Sequence, residues 1–294
     1  MIRLCRVVAA LSAALFLFSC LPKEVPTPEP PKPAKVAVVL GAGVSKGFAH
    51  VGVLKVLESH KIPVHLIVGT SAGSFVGSLY AAGIDAFGLQ RIALAIQKDD
   101  VVDLIIPDNG FVRGEKLEQY VNRAVRQATL EKLKIPFRAV ATNLQNGEET
   151  VFATGNTGKA VRASCSIPGI FQPVRIGERS YVDGGLVSPV AVEAARRAGA
   201  DVVIAVDISA GAGGPIPPGI LETILQSIDI MYAKIAKAQI GGADVVIVPR
   251  VAHIGSSDFD KRHEAILEGE RAALQALPKI QKIIERLRQE GRLP

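Results

Sequence analysis

Three short segments of the chain bring together residue types able to attack an ester. The first is Gly69-Thr70-Ser71-Ala72-Gly73, a G-x-S-x-G pentapeptide. It lies between the apolar run His65–Val68 and the Ala-, Ser- and Leu-rich stretch Ala72–Ala82. By periodicity these read as a buried strand and a helix. A serine on so tight a strand-to-helix turn has a strained backbone and presents its hydroxyl outward. Gly69 and Gly73 avoid collisions where the chain reverses. Taken alone, the pentapeptide is equally a plain strand–helix turn.

The second segment, Gly41-Ala42-Gly43-Val44-Ser45-Lys46-Gly47, also sits between a strand pattern and a helix pattern. Its glycines let backbone N–H groups converge into an anion-binding concavity at a helix N-terminus. Three readings compete. A dinucleotide fingerprint needs its third glycine one residue earlier, and an acidic residue about twenty positions on. Here that stretch reads Lys61-Ile62-Pro63-Val64-His65. A phosphate-binding P-loop needs G-K-[ST], whereas Lys46 precedes Gly47 and Phe48. An oxyanion hole formed by Gly43, Val44, Ser45 and Lys46 is the one reading that also uses Ser71.

A serine hydroxyl needs a neighbouring base. Histidine comes last in the usual α/β-hydrolase order, and His253 or His263 could take that place, though neither has flanking residues that fix such a role. His50, His60 and His65 fall on helix and strand patterns and read as structural. The third segment, Asp183-Gly184-Gly185, follows the strand pattern Arg179–Val182, and its glycines permit close approach of another backbone. A carboxylate beside Ser71 could take its proton directly. A positioned oxyanion donor would contribute roughly 2.7–4 kcal/mol, against roughly 0.3–1 kcal/mol from the helix N-terminus after Ser71.

These segments need a frame. Alternation of Val/Ile/Ala-rich runs with longer helical patterns predicts a single α/β domain with a mostly parallel central sheet covered on both faces. Strands are expected at Val36–Leu40, His65–Val68, Phe137–Asn143, Thr150–Ala153, Val202–Val206 and Val245–Val248, with a turn and a strand in Arg175–Val182. Helices are expected at about Gly47–His60, Ala72–Ala82, Asp85–Lys98, Gly114–Ala128, Thr157–Cys165, Val190–Ala198 and Gly219–Gln239. Val101–Gly110 and Gly211–Pro218 read as loops. Phe259–Arg288 reads as amphipathic helices, with Ile280, Ile283, Ile284 and Leu287 facing the core.

Taken together, the segments resemble the patatin-like phospholipase family, in its bacterial lipoprotein form. The resemblance runs from about Val36 to Pro249. It rests on the glycine-rich loop Gly41–Gly47, the turn Gly69–Gly73, the block Ala160–Gly169 and the aspartate turn Asp183–Gly185. It implies a three-layer α/β/α sandwich at 36–294, a Ser71 nucleophile and an Asp183 base without histidine. It also implies an oxyanion loop at Gly43–Lys46 and cleavage of phospholipid, lysophospholipid or other acyl esters, with no metal and no cofactor. Gly41, Gly47, Gly69, Gly73, Gly184 and Gly185 are the motif glycines. Lys46 stands where arginine is more usual, keeping the charge but losing the donor fork. The rival function is a catalytically silent lipid-binding or adaptor protein tethered to a membrane.

The N-terminus suggests where such a domain works. Arg3 and Arg6 precede a twelve-residue apolar run, Val7–Phe18, which fits a signal segment and is short for a bilayer span. Leu17-Phe18-Ser19-Cys20 resembles a bacterial lipobox, which implies that residues 1–20 are removed up to a lipidated Cys20. Residues 21–35 form a linker, with six prolines between Pro22 and Pro33. In polyproline form it would reach roughly 45 Å. An exported lipoprotein, anchored in the outer membrane and facing the periplasm, is the expected location. Loss of Arg3 and Arg6 lowers the formal charge of +6 to +4. The charges form no stripe and no aromatics interleave with them, so nucleic acid is not an expected partner. Of the three cysteines, Cys165 alone would remain free in the domain; it reads as a small buried residue. Oligomeric state is not legible.

Overall fold

The computed structural model describes residues 30–106, 110–209, 211, 216–255 and 258–294. The signal segment, Cys20 and most of the linker lie outside the described residues. Pro33–Pro294 forms one compact unit, and residues 30–32 before it carry no regular secondary structure. No described helix is long and apolar enough to cross a membrane.

Eight strands make one sheet: β1 (Val36–Leu40), β2 (Leu66–Thr70), β3 (Phe137–Asn143), β4 (Glu149–Phe152), β5 (Val174–Ile176), β6 (Arg179–Asp183), β7 (Val202–Val206) and β8 (Val245–Ile247). The helices are α1 (Phe48–Ser59), α2 (Ala72–Ala81), α3 (Ala86–Ala95), α4 (Lys98–Val101), α5 (Glu115–Ala124), α6 (Thr157–Ser164), α7 (Val192–Arg197), α8 (Ile220–Gln239) and α9 (Arg262–Gln289). The order β3-β2-β1-β7-β8 is parallel throughout. β4 and β6 pair antiparallel with β3, and β5 pairs antiparallel with β6. The sheet is thus mixed, and parallel from β3 to the β8 edge.

Alternation along β1 assigns the two faces. Val36, Val38 and Leu40 join Ile67, Phe137 and Ile204 in the larger core under α1, α2 and α9. Ala37 and Val39 join Val68, Val140 and Val203 in a smaller core against α7. Every β1 residue is buried, as expected for a strand covered on both sides. On the larger face, α1 and α9 touch through glycines. A Cβ on Gly52 would lie 2.0 Å from the Ile266 carbonyl oxygen, and one on Gly269 2.0 Å from that of Ala49.

Several boundaries differ from the sequence reading. β2 extends through Gly69 and Thr70, so Ser71 follows the strand at once. Asp183 is the last residue of β6 rather than part of a turn after it. Arg175–Val182 holds two strands hinged at Gly177. The helix predicted to reach Ala128 stops at Ala124, where Arg126 and Gln127 turn left-handed (φ 55° and 61°). The C-terminal region is one 28-residue helix running through Pro278. Proline removes one hydrogen bond to the residue four places earlier. That residue, Leu274, is solvent-exposed, so its carbonyl can turn to water. Ile280, Ile284 and Leu287 are buried and Ile283 is partly so.

Candidate active site

Sheet register brings Ser71 and Asp183 together. Ala139 and Val140 of β3 are flanked by β2 and β4, whereas Ala141 and Thr142 are flanked by β4 and β6. A strand has two edges, so β2 and β6 must share one edge of β3, end to end. Thr70 pairs with Val140 and Asp183 with the next residue, Ala141. The two chains therefore run head-on into the same spot. Ser71 Oγ donates a 2.5 Å hydrogen bond to Asp183 Oδ2 across 112 residues of sequence.

Ser71 adopts φ 53°, ψ −123°, a conformation that costs a non-glycine residue about 1–3 kcal/mol. Its surroundings hold it there. The Ser71 N–H donates to Ser164 Oγ at 2.9 Å, and Ser164 Oγ donates to the Val140 carbonyl at 2.5 Å. The Ser166 carbonyl accepts the Asp183 N–H at 2.8 Å, and Thr142 Oγ1 donates to the Asp183 carbonyl at 2.8 Å. The block Ala160–Gly169 thus touches both members of the pair. Its contribution to the site is Ser164 and Ser166.

The six motif glycines all mark close approach rather than unusual backbone angles. A Cβ would lie 2.9 Å from the Val206 oxygen at Gly41, 2.6 Å from Ala72 Cβ at Gly47 and 2.5 Å from the Gly73 oxygen at Gly69. At Gly73 it would lie 2.0 Å from the Leu40 oxygen, and at Gly184 2.2 Å from the Val140 oxygen. At Gly185 it would lie 2.2 Å from Tyr232 Cζ.

The glycine-rich loop enters a 3-10 turn at Val44–Gly47, with Val44 itself left-handed at φ 48°. The Lys46 N–H is taken by the Gly43 carbonyl at 3.0 Å, so it is not open to a ligand. The N–H groups of Gly43, Val44 and Ala72 have no hydrogen-bond partner among the described residues. Ala72 escaped the sequence reading, although the residue after a turn serine is a standard donor. Ser45 is buried and lines the same cavity as Ser71. Lys46 Nζ turns away to Asp229 Oδ2 at 2.8 Å.

Asp183 is fully buried. Burial raises its pKa to about 6, against the opposing pull of hydrogen bonds from Ser71 and the Gly185 N–H and of the nearby Tyr232 hydroxyl. That hydroxyl is itself buried and forms no hydrogen bond among the described residues. Cys165 is partly buried with Sγ 3.7 Å from Ser74 Oγ, and burial pushes its thiol well up, keeping it protonated.

A cavity of about 160 Å³ opens at Ser71. Its walls are Val44 and Phe171 near the loop, then Phe75 and Leu79 of α2 and Leu89 and Ile92 of α3. Apolar residues at helical spacing look the same in a core and in a cavity wall, so nothing local marks these as wall.

The histidines lie elsewhere. His253 Nε2 pairs with Glu264 Oε1 at 2.6 Å, and both it and His263 are exposed; neither lines this cavity. His50 is buried with Nε2 2.8 Å from the Gly41 carbonyl, and burial lowers its pKa to about 4. His60 bonds the Val56 carbonyl, and His65 Nδ1 accepts the Val36 N–H.

Comparison with known proteins places this arrangement. The model of a family described as patatin-like phospholipase matches residues 38–196. An uncharacterized NTE family protein of Mycobacterium tuberculosis is 34% identical over 185 residues, which is 62% of this chain and 51% of that protein. Lysophospholipase NTE1 of Debaryomyces hansenii is 33% identical over 179 residues, covering 59% of this chain and 12% of its own length. The chain thus spans about half or less of the length of these two relatives. Among solved structures, VipD from Legionella pneumophila superposes with a TM-score of 0.57 at 13% identity, over 84% of this chain and 67% of that one. That likeness is one of fold.

Proposed function

The chain belongs to the patatin-like phospholipase family, and from that premise we propose that it is a serine acyl hydrolase acting on lipid esters through Ser71 and Asp183. The 2.5 Å hydrogen bond between Ser71 Oγ and Asp183 Oδ2, at the apolar cavity, carries the reading. The carboxylate takes the hydroxyl proton as Oγ attacks the ester carbonyl. Negative charge on the carbonyl oxygen then meets the N–H groups of Gly43, Val44 and Ala72. Asp183 returns the proton to the departing alcohol. Water, deprotonated by the same carboxylate, releases the fatty acid from the acyl-serine. The cavity wall is almost wholly aliphatic and aromatic, which suits an acyl chain and supports a phospholipid, lysophospholipid or neutral-lipid substrate.

The test is hydrolysis of a panel of these lipids by the domain 33–294, with Ser71→Ala as control. Hydrolysis of at least one lipid, absent in the control, is the expected result. Equal rates in the two proteins would overturn the reading. Covalent capture of a fluorophosphonate by Ser71 separates a hydrolase from a silent lipid-binding adaptor, which would not react.

Export and anchoring through Cys20, in the outer membrane facing the periplasm, belong to the same proposal. They are supported by Leu17–Cys20 and the proline spacer. Labelled palmitate incorporated into the full chain, and lost on Cys20→Ala, is the expected outcome.

A further inference from the structure

Helix α8 begins 37 residues beyond Asp183, and neither of the motifs around Ser71 and Asp183 includes it. Its buried stripe is Ile228, Tyr232 and Ala236. Ile228 and Tyr232 pack with Ala42 of the glycine-rich loop and with Ile167, just past Ser166. Two polar side chains on the same stretch reach further. Asp229 holds Lys46 Nζ at 2.8 Å, with the side chains 13% and 4% exposed. The Tyr232 ring lies flush on Gly185, the residue whose N–H bonds Asp183 Oδ1. At the far end of the helix, Gln239 Nε2 donates to the Val187 carbonyl at 2.8 Å. One helix therefore grips the loop on one side of Ser71 and the aspartate turn on the other.

We propose that α8 is the positioning element of this site, Asp229 anchoring the oxyanion loop through Lys46 and Tyr232 seating the carboxyl of Asp183. The inference rests on the hydrolase reading above and adds two residues to it. Lys46 spends its charge on the helix, so its part is to fix where the Gly43 and Val44 N–H groups point. Burial of the pair makes this anchor stiff, because separation would strand a charge away from water. The Tyr232 hydroxyl is one of the polar groups around the Asp183 carboxylate, the others being Ser71, Cys165 and the Gly185 N–H. Asp229 is the further charge felt by the phenol.

Tyr232→Phe keeps the ring on Gly185 and removes only the hydroxyl, so the fold should stand. The acid limb of kcat/KM on a soluble nitrophenyl ester should move up by about half to one pH unit, with KM nearly unchanged. Lys46→Met and Asp229→Asn should each lower kcat by about ten- to a hundredfold at similar KM, as small misplacements do. Together they should cost no more than either alone, and Lys46→Arg should retain activity. A Tyr232→Phe profile superimposable on the wild type would overturn the tyrosine's part. Lys46 and Asp229 losses that multiply, or a Lys46→Arg as impaired as Lys46→Met, would overturn the anchor. If Asp229→Asn fails to fold, the Lys46 pair of variants still decides. Fluorophosphonate labelling of wild-type Ser71 keeps the two levels apart. An unlabelled wild type sinks the hydrolase reading itself, whereas a labelled one with unmoved variants sinks only the role of α8.

Discussion

Ser71 and Asp183 arrive at one hydrogen bond by opposite routes. The serine stands on a backbone forced to φ 53°, while its side chain meets a partner and a cavity. The aspartate has an unstrained backbone at φ −48°, ψ 132°, and its cost lies in a carboxyl moved out of water. One half of the site stores conformational strain and the other stores desolvation. Local sequence suffices to create the first, since a five-residue turn fixes it. The second exists only once β3, β6, α6 and α8 have closed around it.

Removing the desolvated half breaks the comparison most sharply. Asp183→Asn should lower kcat by about 10²- to 10⁴-fold, the usual range for a general base. The same change tests the stored cost. Asp183 has a folded pKa near 6 and an unfolded one near 3.9. The folded state therefore binds the extra proton between these values, and the carboxyl's contribution falls as pH rises through them. Above pH 6 the penalty is on the order of 3 kcal/mol. Relative to wild type, the asparagine variant should melt at a higher temperature at pH 7.5 than it does at pH 4. A pH-independent difference in melting temperature would remove the desolvation argument.

A smaller effect should appear in the wild-type rate profile. Only the ionised carboxyl accepts a proton, so kcat/KM should fall about tenfold per pH unit below roughly pH 6. An acid limb nearer pH 4 would mean that the carboxyl is better solvated than its burial implies.

The strained half predicts the smallest shift. Against Ser71→Ala, which likewise lacks the bond to Asp183, Ser71→Gly relieves the left-handed backbone, offset by the extra freedom glycine has when unfolded. A net gain of about 1 kcal/mol, or about 2–4 °C in Tm, is expected from thermal melts. A loss would place the strain elsewhere.

The sequence was informative where the physics is local. Val36–Leu40 reads as a strand because β1 is apolar on both faces, and Ser71 reads as a turn serine because Gly69 and Gly73 admit nothing larger. The match of β1 and α2 to expectation follows from that. Asp183 was harder, because D-G-G is common and its partner edge on β3 is set by pairing. Tyr232 and Asp229 had no signal: a tyrosine and an aspartate on a helical pattern look like core and surface until Gly185 and Lys46 come against them. The wall of the cavity was hidden for the same reason, since Leu79 and Leu89 obey core periodicity whether they face a neighbour or an opening. The continuous α9 was missed because Pro278 ordinarily interrupts a helix, and only tertiary packing reveals that the broken bond faces solvent.

The junction of β2 and β6 on a shared edge has a consequence for how this molecule can fail. β6 is held to β3 by three residue pairs, Ala141 to Asn143. A slip of one place would send alternate side chains to opposite faces, turning the acid away while leaving a protein that is compact, folded and dead. Specific activity per folded molecule, rather than yield, is therefore the sensitive gauge of faithful assembly here.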